Sequence, residues 1–396
     1  MWFIPCSMWS FALRWRPMTT APQASPVAGP TRLEGIIDSD VHPSFRNGLR
    51  DLEPYLSAEW RHRLGVGGGA EWTSRFATAA YSLPLNPLYI SPIGAYRSDA
   101  ATDEMGPATD PVFTARQLLD GHGIHRAILI SGSLVGIGAF PDPEVSAVVA
   151  SAHNDWMCEQ WLQVDERFRG ALVVPPQHPE AAVREIERHA NTPGICAIFM
   201  PLHSILMGER HYYPIYEAAQ RHSLPVVVHP SGTESVFAGA PRMAGIPTYY
   251  MEWHAGLGQV HQSNLVSMIC HGVFERFPEL RLVISEGGFF WAAEMMWKLD
   301  RYWQGMRDDV PWLKLKPSDY VRRNVRFTTQ PLPEPPHREQ LAAVLDLVQA
   351  EETLIYSSDY PHWDFDEPNR ALSGIPPALR QKICVDNPAA FYGDRV

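Results

Sequence analysis

Short apolar runs rich in β-branched residues recur along the chain, and segments with helix-period hydrophobicity separate them. The runs are 35–40 (GIIDSD), 125–131 (HRAILIS), 169–175 (RGALVVP) and 195–200 (ICAIFM), followed by 225–229 (PVVVH), 280–286 (LRLVISE), 325–330 (VRFTTQ) and 353–359 (TLIYSSD). Runs this apolar suit strands covered on both faces, which is the habit of parallel sheets with helical crossovers. Between them, Pro179–His189, Tyr213–His222, Gly258–Phe277, Phe289–Arg307 and Pro336–Ala350 place apolar residues at helical spacing and supply the crossovers. Eight such alternations predict an α/β fold, a TIM (β/α)8 barrel with insertions after strands one and five, in preference to a doubly wound sheet of fewer strands. A doubly wound sheet would also want a glycine-rich phosphate loop after a strand. Gly65–Gly69 (GVGGG) follows a polar, helix-like stretch instead and reads as a hinge or loop.

The same pattern sets the domain plan. Residues 33–396 are expected to form one barrel domain, with 44–124 as a cap-like insertion and 230–257 as a substrate-gating loop. Both insertions leave strand C-terminal ends, where barrel enzymes build their sites. Residues 1–32 are expected to be a disordered extension: the first 29 carry no acidic residue and end in a Pro/Ala-rich tail. Arg14 and Arg16 follow its apolar stretch, whereas a secretory signal places basic residues before one, and Met18 is a second candidate start.

Composition narrows the partners. A chain that is 45% hydrophobic and 19% charged is globular, and no apolar stretch is long enough to predict a membrane span. A net charge of −11 with no block of Lys and Arg argues against nucleic acid, leaving small molecules and other subunits as expected partners. The five scattered cysteines form no C-x-x-C pair, which fits a reducing cytoplasm.

Polar side chains gather where the apolar runs end: Asp40 and His42 after run one, His203 after run four, His229, Glu286 and Asp359 at the ends of runs five, six and eight. In a parallel barrel these ends converge on one face. Side chains two apart on a strand point the same way, so Asp38, Asp40 and His42 share a direction, with Asp38 one layer deeper as an orienting carboxylate. Asp40, His42, His229 and Asp359 would make a nitrogen-and-oxygen cage for a divalent ion. Each also has a structural reading: a turn role before Pro43, a core histidine at 229, a cap at 359, and an acceptor of glycine N–H groups at Glu286. His203 and His271 are expected to be structural, His271 by burial. Trp291, Trp297 and Trp303 recur every six residues, a spacing that spreads them around a helix toward a cap or neighbouring subunit.

Four stretches, "IIDSDVHP", "VVVHPSG", "VFERFPELRLVISEGGFFW" and "YSSDYPHWD", resemble the amidohydrolase-related group of the amidohydrolase superfamily, which contains aminocarboxymuconate semialdehyde decarboxylase. The resemblance runs over residues 33–393. It implies a metal held at Asp40, His42, His229 and Asp359, zinc, manganese or iron, with a small carboxylated or cyclic substrate. Two positions depart from the pattern. Asp40 stands where a histidine is usual, making the site harder and shifting preference toward manganese or iron. Glu286 stands where the decarboxylases carry a histidine, and would serve as a base or as a ligand reaching a second metal. No lysine ends strand four (AIFMPLH), so a carbamylated-lysine bridge is excluded.

The implied chemistry is hydrolysis, with Asp359 as base for a metal-bound water, or non-oxidative decarboxylation. A dinuclear iron or iron–manganese oxygenase, drawing on His254 or His271, and a non-catalytic partner subunit are the competing readings. Catalytic roles are expected for Asp359, Glu286 and His254. In "YYMEWH" and "DYPHWD", Glu252, Trp253 and His362 are expected to bind substrate, although the aromatic stretch also reads as a patch covered by an oligomer contact. A homodimer or related-subunit oligomer is the expected assembly.

Overall fold

Every apolar run forms a strand, and the eight strands pair in sequence order as one parallel sheet. The computed structural model describes residues 33–65, 96–102, 104–230 and 250–396. The strands are β1 Ile36–Val41, β2 Ile124–Leu129, β3 Phe168–Val173, β4 Ile195–Phe199, β5 Val226–Val228, β6 Leu282–Ile284, β7 Val325–Thr328 and β8 Leu354–Ile355. Closure follows from the last and first strands. Ser39 N–H donates to the Tyr356 carbonyl at 3.0 Å, His42 N–H to Tyr360 at 2.8 Å and Asp359 N–H to Asp40 at 3.1 Å. Val41 also bridges Tyr360 in parallel register. The sheet therefore curls into the expected barrel.

Strands five, six and eight are shorter than the apolar runs. His229 lies just beyond β5, and Glu286 and Asp359 lie on the turns after β6 and β8. The reason is backbone direction: Glu286 and Asp359 adopt φ of +48° and +60°. A strand cannot continue through a left-handed residue, and such conformations in non-glycine residues collect at functional sites.

The crossovers are amphipathic helices started by recognisable caps. Asp142 opens Pro143–Gln160 by accepting the Glu144 and Val145 N–H groups at 3.0 and 3.3 Å, with Pro143 at the first helical position. In Pro179–His189 the buried set is Pro179, Ala181, Ala182, Glu185, Ile186 and His189, from which Ala181, Ala182, Glu185, Ile186 and His189 make an i, i+4 stripe. Tyr213–Arg221, Leu257–Cys270, Phe290–Gly305, Pro317–Asn324 and Arg338–Leu347 complete the outer layer. No helix among the described residues is long and apolar enough to cross a membrane.

Several expectations meet the described residues only in part. The extension 1–32, residues 66–95 and 103 of the first insertion and residues 231–249 of the second lie outside them. Gly65 is the left-handed C-cap, at φ +74°, of the helix Ala58–Leu64, and the rest of GVGGG lies outside. His271 is not buried: it follows Cys270 at a helix end with its side chain 42% exposed. His203 is half-buried, its Nδ1 2.7 Å from the Gly138 carbonyl. Trp291 donates to the Gly287 carbonyl, Trp303 lies beneath the Arg307 guanidinium, and Trp297 is 56% exposed, so the three tryptophans do face different ways.

One buried amide ties two crossovers to the sheet. Asn154 donates to the Val173 carbonyl and to Glu185 Oε1, and accepts the Val173 N–H, each at 2.9 Å. Removing it takes this partner from the Val173 N–H and carbonyl, while Glu185 Oε1 keeps its bond from Arg188. Asn154→Ala is expected to destabilise the fold by about 3 kcal/mol, read as a lowered urea midpoint with unchanged far-UV circular dichroism; an unmoved midpoint would refute this role.

Candidate metal centre

The strand order brings together residues that are more than three hundred positions apart. Asp40 ends β1, His42 follows it, His229 follows β5, and Asp359 sits on the turn after β8. One ligand atom from each lies within 4.8 Å of all the others, and all four residues are buried. His42 Nε2 is 3.1 Å from Asp40 Oδ1 and 2.9 Å from Asp359 Oδ1, and His229 Nε2 is 3.6 Å from Asp40 Oδ2.

Both imidazoles are aimed by backbone carbonyls. His42 Nδ1 lies 3.1 Å from the Ile130 carbonyl, and His229 Nδ1 lies 2.6 Å from the Pro230 carbonyl. A carbonyl only accepts, so each Nδ1 carries the hydrogen and each Nε2 turns toward the cluster. Yet Asp40 Oδ1, His42 Nε2, His229 Nε2 and Asp359 Oδ2 are all buried without a hydrogen-bond partner among the described residues. Leaving four such atoms unsatisfied would cost on the order of 1–3 kcal/mol each. One divalent cation satisfies all four and balances the two carboxylates, and a donor set of two nitrogens and two oxygens suits manganese, iron or zinc. The residues fit the group.

The electrostatics agree. Burial pulls the His42 imidazole toward neutrality, and the Asp40 and Asp359 carboxylates outweigh it and hold the ring well above its ordinary pKa. Asp40 and Glu286 raise His229 against burial in the same way. In return, and again against burial, His42 and His229 lower the Asp40 carboxyl below its ordinary range. Positive charge is demanded at the centre, whether a proton or a metal supplies it.

Supporting groups fix the ligands. Ser285 Oγ donates to Asp40 Oδ2 at 2.5 Å. Asp38 lies outside the cluster; its Oδ1 accepts the Ser358 N–H at 2.9 Å and the Asp40 N–H at 3.3 Å, tying β1 to the turn that carries Asp359. Burial pushes its carboxyl up to about 7.

Glu286 forms an adjacent wall and stands apart from the four. Its N–H donates to Thr328 Oγ1 at 3.1 Å, while Oε2 is 3.1 Å from His229 Nε2 and Oε1 is 3.4 Å from His254 Nε2. His254 also lies 3.4 Å from Asp364 Oδ2. Burial lowers the His254 ring, but Asp364 and Glu286 outweigh it and push it up to about 10. His362 Nδ1 sits 2.6 Å from Asp359 Oδ1. Trp253 is half-buried with its ring centroid 6.0 Å from that of His254, whereas Glu252 is exposed. Sequence reasoning passed over Ser285 and Asp364. The first is a polar residue inside an apolar run, the second lies two residues beyond His362 in "PHWDFD".

Cation binding should follow from this geometry. The protein is expected to bind one equivalent of Mn²⁺, and His229→Ala to lose it, by calorimetry and metal analysis; full occupancy in the variant would sink the assignment. Protons compete for both Nε2 atoms, so affinity should rise with pH, by at least about tenfold between pH 5.5 and 7.5. A flat profile would mean that the imidazoles do not bind the ion.

Comparison with known proteins places these residues in context. The family model described as amidohydrolase matches residues 109–393. Gamma-resorcylate decarboxylase of Rhodococcus jostii is 26% identical over 301 residues, covering 70% of this chain and 85% of the relative. Among solved structures, a dihydroxybenzoic acid decarboxylase from Polaromonas sp. JS666 holds manganese and the inhibitor 2-nitroresorcinol. It superposes with a TM-score of 0.61 at 20% identity, over 91% of this chain and 97% of the other. The 5-carboxyvanillate decarboxylase of Novosphingobium aromaticivorans, complexed with manganese and 4-hydroxy-3-methoxy-5-nitrobenzoic acid, superposes with a TM-score of 0.64 at 19% identity, over 91% and 96%. The structural likenesses establish the barrel independently of sequence. Because the family match takes in β2 through β8 and half of the proposed ligand set, His229 and Asp359, this chain belongs to the amidohydrolase family.

Proposed function

We propose that the chain catalyses non-oxidative decarboxylation of a small aromatic carboxylate, with a divalent cation held by Asp40, His42, His229 and Asp359. The observation that carries the reading is the buried two-histidine, two-aspartate group at the mouth of a barrel whose named relatives are decarboxylases. When bound, the cation would hold and polarise the substrate carboxylate.

The chain's residues then divide the remaining work. Asp359 would deliver a proton to the ring carbon that bears the carboxylate from Oδ1, the oxygen beside His362, leaving Oδ2 to the cation. The bond from that carbon to the carboxylate then breaks, its electron pair returns to the ring, and carbon dioxide leaves; one proton replaces one carboxylate. His362, 2.6 Å from Asp359 Oδ1, orients this aspartate and passes it the next proton. Glu286 and His254 form the wall where a ring hydroxyl would be hydrogen-bonded. Trp253 supplies apolar area beside it.

Hydrolysis would use the same Asp359 as a base toward water, and would release no carbon dioxide. The dinuclear oxygenase and non-catalytic subunit readings draw no support from the relatives named above. The deciding assay offers hydroxylated benzoates to the Mn²⁺-loaded protein and measures carbon dioxide against substrate lost. Equimolar release is expected from at least one of them; a protein that binds Mn²⁺ yet releases none from the series would overturn the proposal. Asp359→Asn is expected to lower kcat by about 10²–10⁴-fold while cation affinity changes far less, and a variant with unchanged kcat would remove Asp359 from the proton-transfer step.

A further inference from the structure

Asp359 is held from one side by the metal-site histidine and from the other by His362, and something must in turn hold His362. Its ring centroid lies 4.8 Å from that of His42. On the other contact, Tyr96 stacks nearly parallel, with centroids 5.3 Å apart and ring planes inclined by 16°. The backbones reinforce the stack: Tyr96 and His362 form an antiparallel bridge, and Arg97 N–H donates to the Pro361 carbonyl at 2.9 Å.

Further contacts of Arg97 and Gln117 lock the two segments. The Arg97 guanidinium lies 4.3 Å over the Phe365 ring, and it also grips Asp99 through bonds of 2.9 and 2.7 Å. Gln117 donates to the Asp99 carbonyl at 2.7 Å and accepts the Tyr360 hydroxyl at 2.6 Å. Residues 96–99 belong to the first insertion, residues 360–365 to the turn that follows Asp359. A patch of insertion chain is therefore clasped against the loop that shapes the metal site.

We infer that Tyr96 is a positioning residue: its ring holds His362 so that Nδ1 stays on Asp359 Oδ1, which leaves Asp359 Oδ2 directed at the cation. The inference rests on the metal-site reading of Asp359. It assigns the first insertion a part in organising the centre, through one aromatic face. The contact is ring on ring, so the phenol oxygen is not needed for it.

The test uses Co²⁺ on the full-length protein, because its visible absorption reports coordination without any substrate. Tyr96→Ala is expected to weaken Co²⁺ binding by about 10–100-fold, the usual effect of removing a group that orients a metal ligand, and to alter the visible spectrum. Tyr96→Phe should match the wild type in both. His362→Ala should reproduce the Tyr96→Ala spectrum, and the double variant should be no worse than His362→Ala alone, since Tyr96 acts only through that ring. Additive losses in the double variant, or equal losses in Tyr96→Ala and Tyr96→Phe, would overturn the proposal. So would an unchanged spectrum in Tyr96→Ala. Should Tyr96→Ala fail to fold, Tyr96→Leu, which keeps apolar volume without a planar face, is read by the same criteria. A wild-type protein that binds no Co²⁺ at all would instead defeat the metal-site reading beneath it.

Discussion

The seam between the first and last strands is the constraint on which the site depends. Asp359 N–H reaches the Asp40 carbonyl, His42 N–H reaches Tyr360, and Asp38 caps the Ser358 N–H from below. These bonds close the barrel, and in doing so they set two ligands from one end of the sequence beside one from the other. Backbone pairing is stiff, so the spacing of the three carboxylate and imidazole groups is fixed before any ligand arrives. His229 enters from another wall just beyond β5, held by its own carbonyl contact. Two carboxylates buried this close repel one another unless positive charge lies between them; the rigid seam keeps them assembled for a cation.

Much of this was legible in the residue pattern, for particular reasons. Parallel strands buried on both faces write themselves as continuous apolar runs, so all eight were visible, and Pro179–His189 was read to the residue because a proline starts it and the apolar stripe is regular. Asp40, His42, His229 and Asp359 stood out because each is a polar residue ending an apolar run. What escaped was set by tertiary geometry. That β8 stops at Ile355, with Asp359 on a left-handed turn, has no local signature. Asp364 reaches His254 only because two separate loops meet. Tyr96, far from any motif, stacks on His362 through a bridge that no spacing rule predicts.

Asp40 and Glu286 are connected in the structure. Asp40 brings an oxygen donor to the cluster, and Ser285 satisfies its second oxygen from β6's turn, one residue before Glu286. Glu286 in turn faces His229 and His254 together. The imidazole beside Glu286 is supplied by the short helix Tyr250–His254 and braced by Asp364. Part of the wall is thus carried by a short helix and not by a strand end.

The left-handed backbone at Glu286 and Asp359 carries a consequence for protein engineering. Each such residue with a β-carbon costs on the order of 1 kcal/mol that glycine would not. Glycine at either position would thus relax the fold while deleting the functional carboxylate. Selection for thermal stability alone would drift toward an inert barrel here, so any stabilisation campaign on this chain has to score binding or turnover alongside melting temperature.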